Sequence, residues 1–431
     1  MIIKFVVRIF VGVLLGTIIV FQPEKQQSVQ ESQFPLQLKV AQPNIKQLEP
    51  QQSGSQNALA LQKLLSNAQQ KNSQNKKVNI YLPQGKYTLG ESQQKTVFLL
   101  PSNTTIHAEK TELSVKGNVV FLGIPTTNET SGVTNFEWNG GVISGDGDKN
   151  TAHFTLVEGK NNKFINLTLE NTTAFGNHAF DLNATSGVLI QNMKFIGYGN
   201  RQLTKKDLTD NAHQYKAEAV QLDTNSKGSL SRFEREIWQK VSPLTFKHRQ
   251  SAVTSNVQIR QSSFLPNVVS GKQITSAQNP LGQHGYDPKK KMASQNIIFE
   301  NNRVIDPVGG PVMQNKKEKN NYQGALHFNA VQNMLIANNY FLLNRAQYAM
   351  SFYTSDKTSP THKVTISKNK IMSLHATPYV LVRTSTKTSQ VGKINIVVSQ
   401  NILLNSHQKI VTGSSSIAVD QLHRKTAIIK R

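Results

Sequence analysis

An all-β, single-stranded solenoid is the fold the sequence predicts, and three observations lead to it. A six-residue pattern (apolar, any, small polar or Gly, any, any, apolar) returns eight times, as WNGGVI from Trp138, FINLTL from Phe164, IQNMKF from Ile190, IRQSSF from Ile259, FENNRV from Phe299, IANNYF from Ile336, ISKNKI from Ile366 and VVSQNI from Val397. The spacing is regular: copies at 138, 164 and 190 lie 26 residues apart, and those at 336, 366 and 397 lie 30 and 31 apart. Second alternating runs precede or flank these copies: HAFDLN from His178, EAVQLD from Glu218, ALHFNA from Ala325, AMSFYT from Ala349 and YVLVRT from Tyr379. Two to three strands per period with Asn at the bends do not make hairpins. They make a coil whose apolar alternates point inward and stack on the next turn at about 4.8 Å, while Asn takes left-handed turns and bonds to its counterparts above and below.

The chain enters this coil in stages. Lys4 and Arg8 precede an apolar run ending at Phe21, so residues 1–22 are expected to be a signal peptide or an N-terminal membrane anchor. Residues 23–56 are Gln-rich and without periodicity, as in a linker. Leu59, Leu61, Leu64 and Leu65 then sit at helical spacing, and Val78, Ile80 and Leu82 alternate up to a Pro83-Gln84-Gly85 turn. The solenoid is expected over 57–410 and a basic tail over 411–431.

Composition narrows the chemistry. There is no cysteine, which excludes disulfides, thiolate metal sites and cysteine nucleophiles. The 431 residues carry 49 Lys+Arg against 25 Asp+Glu, a formal charge of +24, which implies an anionic partner. With an export segment and no nucleic-acid module, that partner is expected to be a cell-surface or extracellular polymer and not nucleic acid.

At two places the sequence resembles a known family. VNIYLPQGKYTLGESQQKTVFLLPSNTTI, from Val78 to Ile106, and FEWNGGVISGDG, from Phe136 to Gly147, resemble the entry strands and a common rung of the pectin-lyase-like superfamily. The resemblance covers roughly 58–407. It implies a right-handed parallel β-helix with a short N-terminal capping helix and loop insertions lining one face. It also implies a carbohydrate-active protein, in a superfamily that holds lyases, hydrolases, epimerases, esterases and adhesins. Particular activities do not carry over. HGYDPK, from His284, is similar to the YGFDPH run of alginate epimerases but has Lys289 where that pattern has His. The N-T-D, D-D and G-H-G runs of polygalacturonases are not reproduced.

Aligning the second runs by their inward pairs places one outward ladder: Asp181 and Asn183, Gln221 and Asp223, His327 and Asn329, Ser351 and Tyr353, with Arg383 in the last full rung. GQHGYDP, from Gly282, is expected to fill the missing rung with His284, Tyr286 and Asp287. Insertions over 199–216, 224–255, 265–281 and 309–323 fall beside this ladder and would wall it into a groove. The second brings Trp238 with several Arg and Lys residues, suited to stacking on sugar rings; equally, Phe233 and Trp238 could pack a helix on the coil.

The candidate catalytic residues are therefore Asp181, Glu218, Asp223, His284, Asp287 and His327, with His178, Asn183, Lys216, Gln221, Trp238, Tyr286, Asn329, Tyr353 and Arg383 as candidate substrate contacts. Asp181 and Asp223, one rung and two residues apart, would lie about 8 Å apart, a spacing suited to an inverting glycosidase. Glu218 is a third carboxylate at a strand entry, alternatively a corner residue held by Lys216 or a backbone amide. The rival chemistry is β-elimination from a uronate, for which His284, Tyr286, His327, Tyr353 and Arg383 would serve. The expectation is an exported, monomeric glycoside hydrolase acting on an acidic polysaccharide, with a polysaccharide lyase or a non-enzymatic β-helical adhesin as alternatives. No cofactor is expected: Ca2+ would have only Asp181, Glu218, Asp223 and Asp287 to draw on.

Overall fold

The computed structural model describes residues 37–38, 48–72, 77–126, 131–173, 178–199, 218–224, 230–247, 252–283, 293–307, 324–328, 330–344, 346, 348–354, 361–373, 380–386, 395–405, 407–408, 410, 417–419 and 427–430. Met1–Pro35 forms a unit of its own, so the expected export segment lies outside the described residues; everything below concerns Leu36–Arg431.

Helix α1, Gly54–Asn72, opens the domain and closes the end of the coil with Leu61, Leu64, Leu65 and Ala68 buried against its first strands. The helix begins three residues before the expected boundary. Beyond it the strands pair in parallel, each with its equivalent one turn away, in a 12-stranded and an 18-stranded sheet among the described residues. This is the right-handed parallel β-helix that the repeat and the resemblance predict. The coil has three faces. Ser186–Gln191, Ser255–Arg260 and Ser294–Glu300 exemplify the first, and Lys194–Ile196 and Ser263–Leu265 the second. Phe180–Asn183 and Glu218–Asp223 belong to the third. Gly85–Leu99 and Thr111–Gly123 are long because each runs across both the second and third faces.

The six-residue motif is the corner between the first two faces. Its third residue takes a left-handed conformation in copy after copy, as Asn166, Asn192, Gln261, Asn301, Asn338 and Lys368, with glycine at Gly140; the last copy is corrected by one residue, because Ile366 pairs with Val398 and not Val397, and its left-handed residue is Gln400. The next residue points into the wall, where Asn302, Asn339, Asn369 and Asn401 form a buried ladder. Each main-chain N–H of Asn302, Asn339 and Asn369 donates to the side-chain Oδ1 of the following Asn at 2.8–3.0 Å. The Nδ2 groups of Asn339 and Asn369 also donate up the ladder at 2.9 Å. Inside, Phe98, Phe121, Phe154 and Phe180 stack at centroid distances of 5.3, 4.7 and 5.0 Å. Stacking identical side chains in register satisfies buried polar groups and fills the core with one residue choice repeated per turn.

Three departures from expectation follow from pairing that the sequence pattern did not reveal. Gln37–Leu38, inside the expected linker, pairs with Asn79–Ile80. Ile417–Val419 and Ala427–Lys430, inside the expected tail, continue the third and first faces by pairing with Val382–Thr384 and Asn395–Val398. The missing rung of the third face is Asn279–Gln283, not a strand starting at Gly282, so its outward residue is Gly282, while Gln283 points inward and accepts a hydrogen bond from the Ala330 N–H at 2.7 Å. Among the described residues no helix is long and apolar enough to cross a membrane.

Candidate active site

The third face presents its outward ladder as the alternation predicts. Thr155, Asp181, Gln221, Gly282, His327, Ser351 and Arg383 lie in one register column, and Asn183 pairs with Asp223 in the next. Inward neighbours Phe180, Leu182, Val220 and Leu222 are fully buried and fix the outward direction of the residues between them.

Residues 230–247, within the 224–255 insertion, supply a wall. Ser231 caps helix α2, Arg232–Val241, in a reciprocal capping box: the Glu234 N–H donates to Ser231 Oγ at 3.2 Å and the Ser231 N–H to Glu234 Oε2 at 2.8 Å. Phe233, Ile237, Trp238 and Val241 share one side of α2 and pack, with Phe246, on Val120, Leu122, Ile124 and Val157 of the early rungs. This docking carries Glu234 over the ladder, where the Thr155 hydroxyl donates to its Oε1 at 2.5 Å and His153 Nε2 stands 3.7 Å away.

The result is a cavity of about 340 Å3 lined by His153, Thr155, His178, Asp181, Gln221, Asp223 and Glu234, with Lys95, Asn118 and Phe233 among the residues at its rim and far wall. Lys95 lies 4.3 Å above the Phe233 ring. Three carboxyls share this space, and their environments differ. Burial pushes the Asp181 carboxyl well above the ordinary range, the charges of Glu234 and Asp223 push it further, and Asn183 beside it works weakly in the other direction. Burial opposes the charge of Glu234 too, but His153, Ser231 and Thr155 bond to its carboxylate and bring it down to about 2. Asp223 Oδ2 accepts from Gln221 Nε2 at 2.8 Å. Asp181 is thus an acid that keeps its proton while a neighbouring carboxylate is presented as an acceptor.

Behind the cavity wall, Glu218 is clamped between two imidazoles. Asn279 Nδ2 donates to His327 Nδ1 at 2.9 Å, which leaves the proton on Nε2 for Glu218 Oε1, also at 2.9 Å. His178 Nδ1 accepts from the Glu218 N–H at 3.4 Å and lies 2.5 Å from Glu218 Oε2. Gly282 makes the clamp possible: a Cβ there would fall 2.5 Å from His327 Nε2 and 2.6 Å from Glu218 Cγ.

The sequence-predicted residues therefore separate. Asp181, Asp223, Gln221 and His178 come together at the cavity. Glu218 is 0% exposed and lies between the imidazoles of His178 and His327 instead of facing the cavity. His327 lies with it, and Asn183 is buried behind Asp181. Trp238 is corrected outright: it is 0% exposed, donates to Thr245 Oγ1 at 2.9 Å and packs on Phe246, so the helix-packing alternative holds and it offers no face to a sugar. Lys216, His284, Tyr286, Asp287 and Asn329 lie outside the described residues, as do the side chains of Tyr353 and Arg383. Among the described residues no cluster of three or more His, Asp or Glu side chains is arranged to hold a metal ion.

Glu234, His153 and Thr155 line the cavity and were not singled out from the sequence. Ser231-x-x-Glu234 is a capping-box signature that marks the helix start. His153 and Thr155 alternate with inward Phe154 and Leu156 in a run of the same kind as the others, HFTLVE.

No family model matches the chain, and no curated protein sequence matches it. Solved structures do. The endo-xylogalacturonan hydrolase of Aspergillus tubingensis is 10% identical over 87% of this chain and 98% of its own, with a TM-score of 0.49. The Streptococcus pneumoniae surface protein and adhesin PfbA is 16% identical over 90% and 98%, with a TM-score of 0.46. The alginate lyase of a Paenibacillus species is 13% identical over 86% and 97%, with a TM-score of 0.42. The parallel pairing of this chain's own strands, turn on turn, makes its fold a right-handed parallel β-helix.

Proposed function

We propose that this protein is an exported glycoside hydrolase in which Asp181 is the general acid and Asp223 the general base. One observation carries the reading: two carboxyls lie diagonally across adjacent rungs of one cavity, Asp181 buried with its carboxyl pushed up and Asp223 accepting a hydrogen bond from Gln221. Asp181 gives its proton to the glycosidic oxygen as the bond to the anomeric carbon breaks. Asp223 takes a proton from the water that attacks that carbon from the other side, and the register spacing of about 8 Å leaves room for this water. The products are a new reducing end and a free hydroxyl, with one water consumed. His178, held by Glu218, stands ready to bond a sugar hydroxyl.

The basic exterior supports retention at an anionic cell surface after export. The test is purified protein on a polysaccharide panel. Reducing ends without the ultraviolet absorbance of an unsaturated uronate are expected, and that absorbance would establish elimination instead. Asp181→Asn and Asp223→Asn should each lower turnover by about 10^2–10^4-fold. Undiminished turnover in both removes the carboxylate assignment, and binding without any cleavage makes the protein an adhesin.

A further inference from the structure

We infer that the sugar unit cleaved between Asp181 and Asp223 is uncharged, neither a uronate nor a free amino sugar, although the protein as a whole is strongly basic. This rests on the hydrolase reading of the cavity and names its substrate class.

The charge inside the cavity is opposite to that outside it. The chain carries +24, yet the cavity gathers Asp181, Asp223 and Glu234, with Glu218 directly behind. The basic groups described there are already engaged. His153 faces Glu234, His178 and His327 hold Glu218, and Lys95 sits at the rim over the Phe233 ring. No described basic side chain forms an ion pair with Asp181, whose carboxyl is pushed up by burial first and by the charges of Glu234 and Asp223 next. A substrate carboxylate would be one more anion in this space. Within a walled cavity of lowered dielectric each such like-charge pair opposes binding.

Hydrogen-bonding capacity points the same way. Gln221 Oε1 and Asn118 Oδ1 belong to cavity-lining side chains and meet no donor. The Gln221 amide cannot turn round, because its Nε2 is committed to Asp223. Such walls favour a ligand with donors, and a carboxylate brings only acceptors. An ammonium group has donors but fails for a different reason: a cation beside Asp181 would favour its ionised form and remove the proton that the leaving oxygen needs. Hydroxyl and acetamido groups supply donors with no charge. Phe233, Leu230 and Val120 give the same cavity an apolar side for a sugar ring.

The experiment has a cleavage arm and a binding arm. Neutral polymers of hexoses and N-acetylhexosamines, polyuronates and polymers of free glucosamine are offered in parallel, and oligomers of each are titrated into the wild-type protein by calorimetry. Neutral polymers should be cleaved and their oligomers bound at least tenfold more tightly than either charged class. Glu234→Gln keeps the helix cap, since Gln serves at that position of a capping box, and should narrow the neutral-over-uronate preference at least threefold. Preferred cleavage or binding of uronates or free amines overturns the inference while leaving hydrolysis intact, as does binding that requires a divalent cation. Failure to cleave any polymer counts against the hydrolase reading alone, and the binding preference then decides the substrate class by itself.

Discussion

At Asp181, protonation and function meet in one group. Its carboxyl stays protonated into a range where exposed aspartates are ionised, because it is buried and the charges of Glu234 and Asp223 oppose a third. A general acid works until pH rises through its folded value, so the proposed role of Asp181 predicts that it sets the alkaline limb of activity. Glu234→Gln removes one of the opposing charges, and the alkaline limb should move toward acid with folding retained. An unmoved limb, measured as kcat/KM against pH, would show that Glu234 does not influence the acid. The same variant reports on stability with the opposite sign. The Glu234 carboxyl is depressed to about 2, so its stabilisation is present above its unfolded value and is lost as pH falls from about 4.5 toward 2. In Glu234→Gln that part of the acid-induced loss should be missing from the melting temperatures. Gly282 offers a purely steric test. Gly282→Ala places a methyl against His327 and Glu218, and activity should fall at least tenfold while the circular dichroism of the coil is unchanged.

Among the elements, the asparagine ladder and helix α2 show how local sequence becomes a positioned site. Asn369 bonds Asn339 on one side and Asn401 on the other, and it is 0% exposed. Asn369→Ala leaves buried donors and acceptors on both neighbours and should cost about 2–4 kcal/mol in denaturant unfolding; a loss under 1 kcal/mol would mean that the ladder contributes little. This ladder was legible because it obeys the six-residue period. So was the direction of Asp181 and Asp223, since Phe180, Leu182, Val220 and Leu222 settle which alternates face outward. The cavity's other half was less legible for physical reasons. Glu234 reaches Asp181 only because α2 folds back over rungs more than 100 residues earlier in the chain, around Val120 and Leu122, and no period encodes that contact. Trp238 misled for the same reason: aromatic and basic residues at helical spacing suit sugar stacking and helix docking alike, and docking won when Val120, Leu122 and Val157 gave the indole a dry surface. Gln283 hid the true rung, because a polar residue at an inward position breaks the alternation that marks a strand.

For the whole molecule, the coil separates two kinds of electrostatics that a single net charge conceals. Lys and Arg outnumber acids 49 to 25 along the chain, whereas the cavity concentrates carboxyls against the third face. Exterior charges act through solvent and are screened within about 10 Å at 0.1 M salt, while groups inside a walled cavity are screened far less. The two should therefore respond differently to ionic strength. Adsorption to an anionic polymer or vesicle surface is expected to weaken at least tenfold between about 0.05 and 0.5 M NaCl, because many exterior cations contribute to it. Turnover of a short neutral oligosaccharide, which needs only the cavity, should change less than about twofold over the same range. Co-sedimentation and a reducing-end assay on the same protein sample measure the two quantities side by side. If both fell together, the exterior charge would be part of substrate recognition, and surface retention and catalysis could not be assigned to different parts of the coil. If adsorption alone falls, the basic exterior is an anchor and the acidic cavity an independent catalytic compartment.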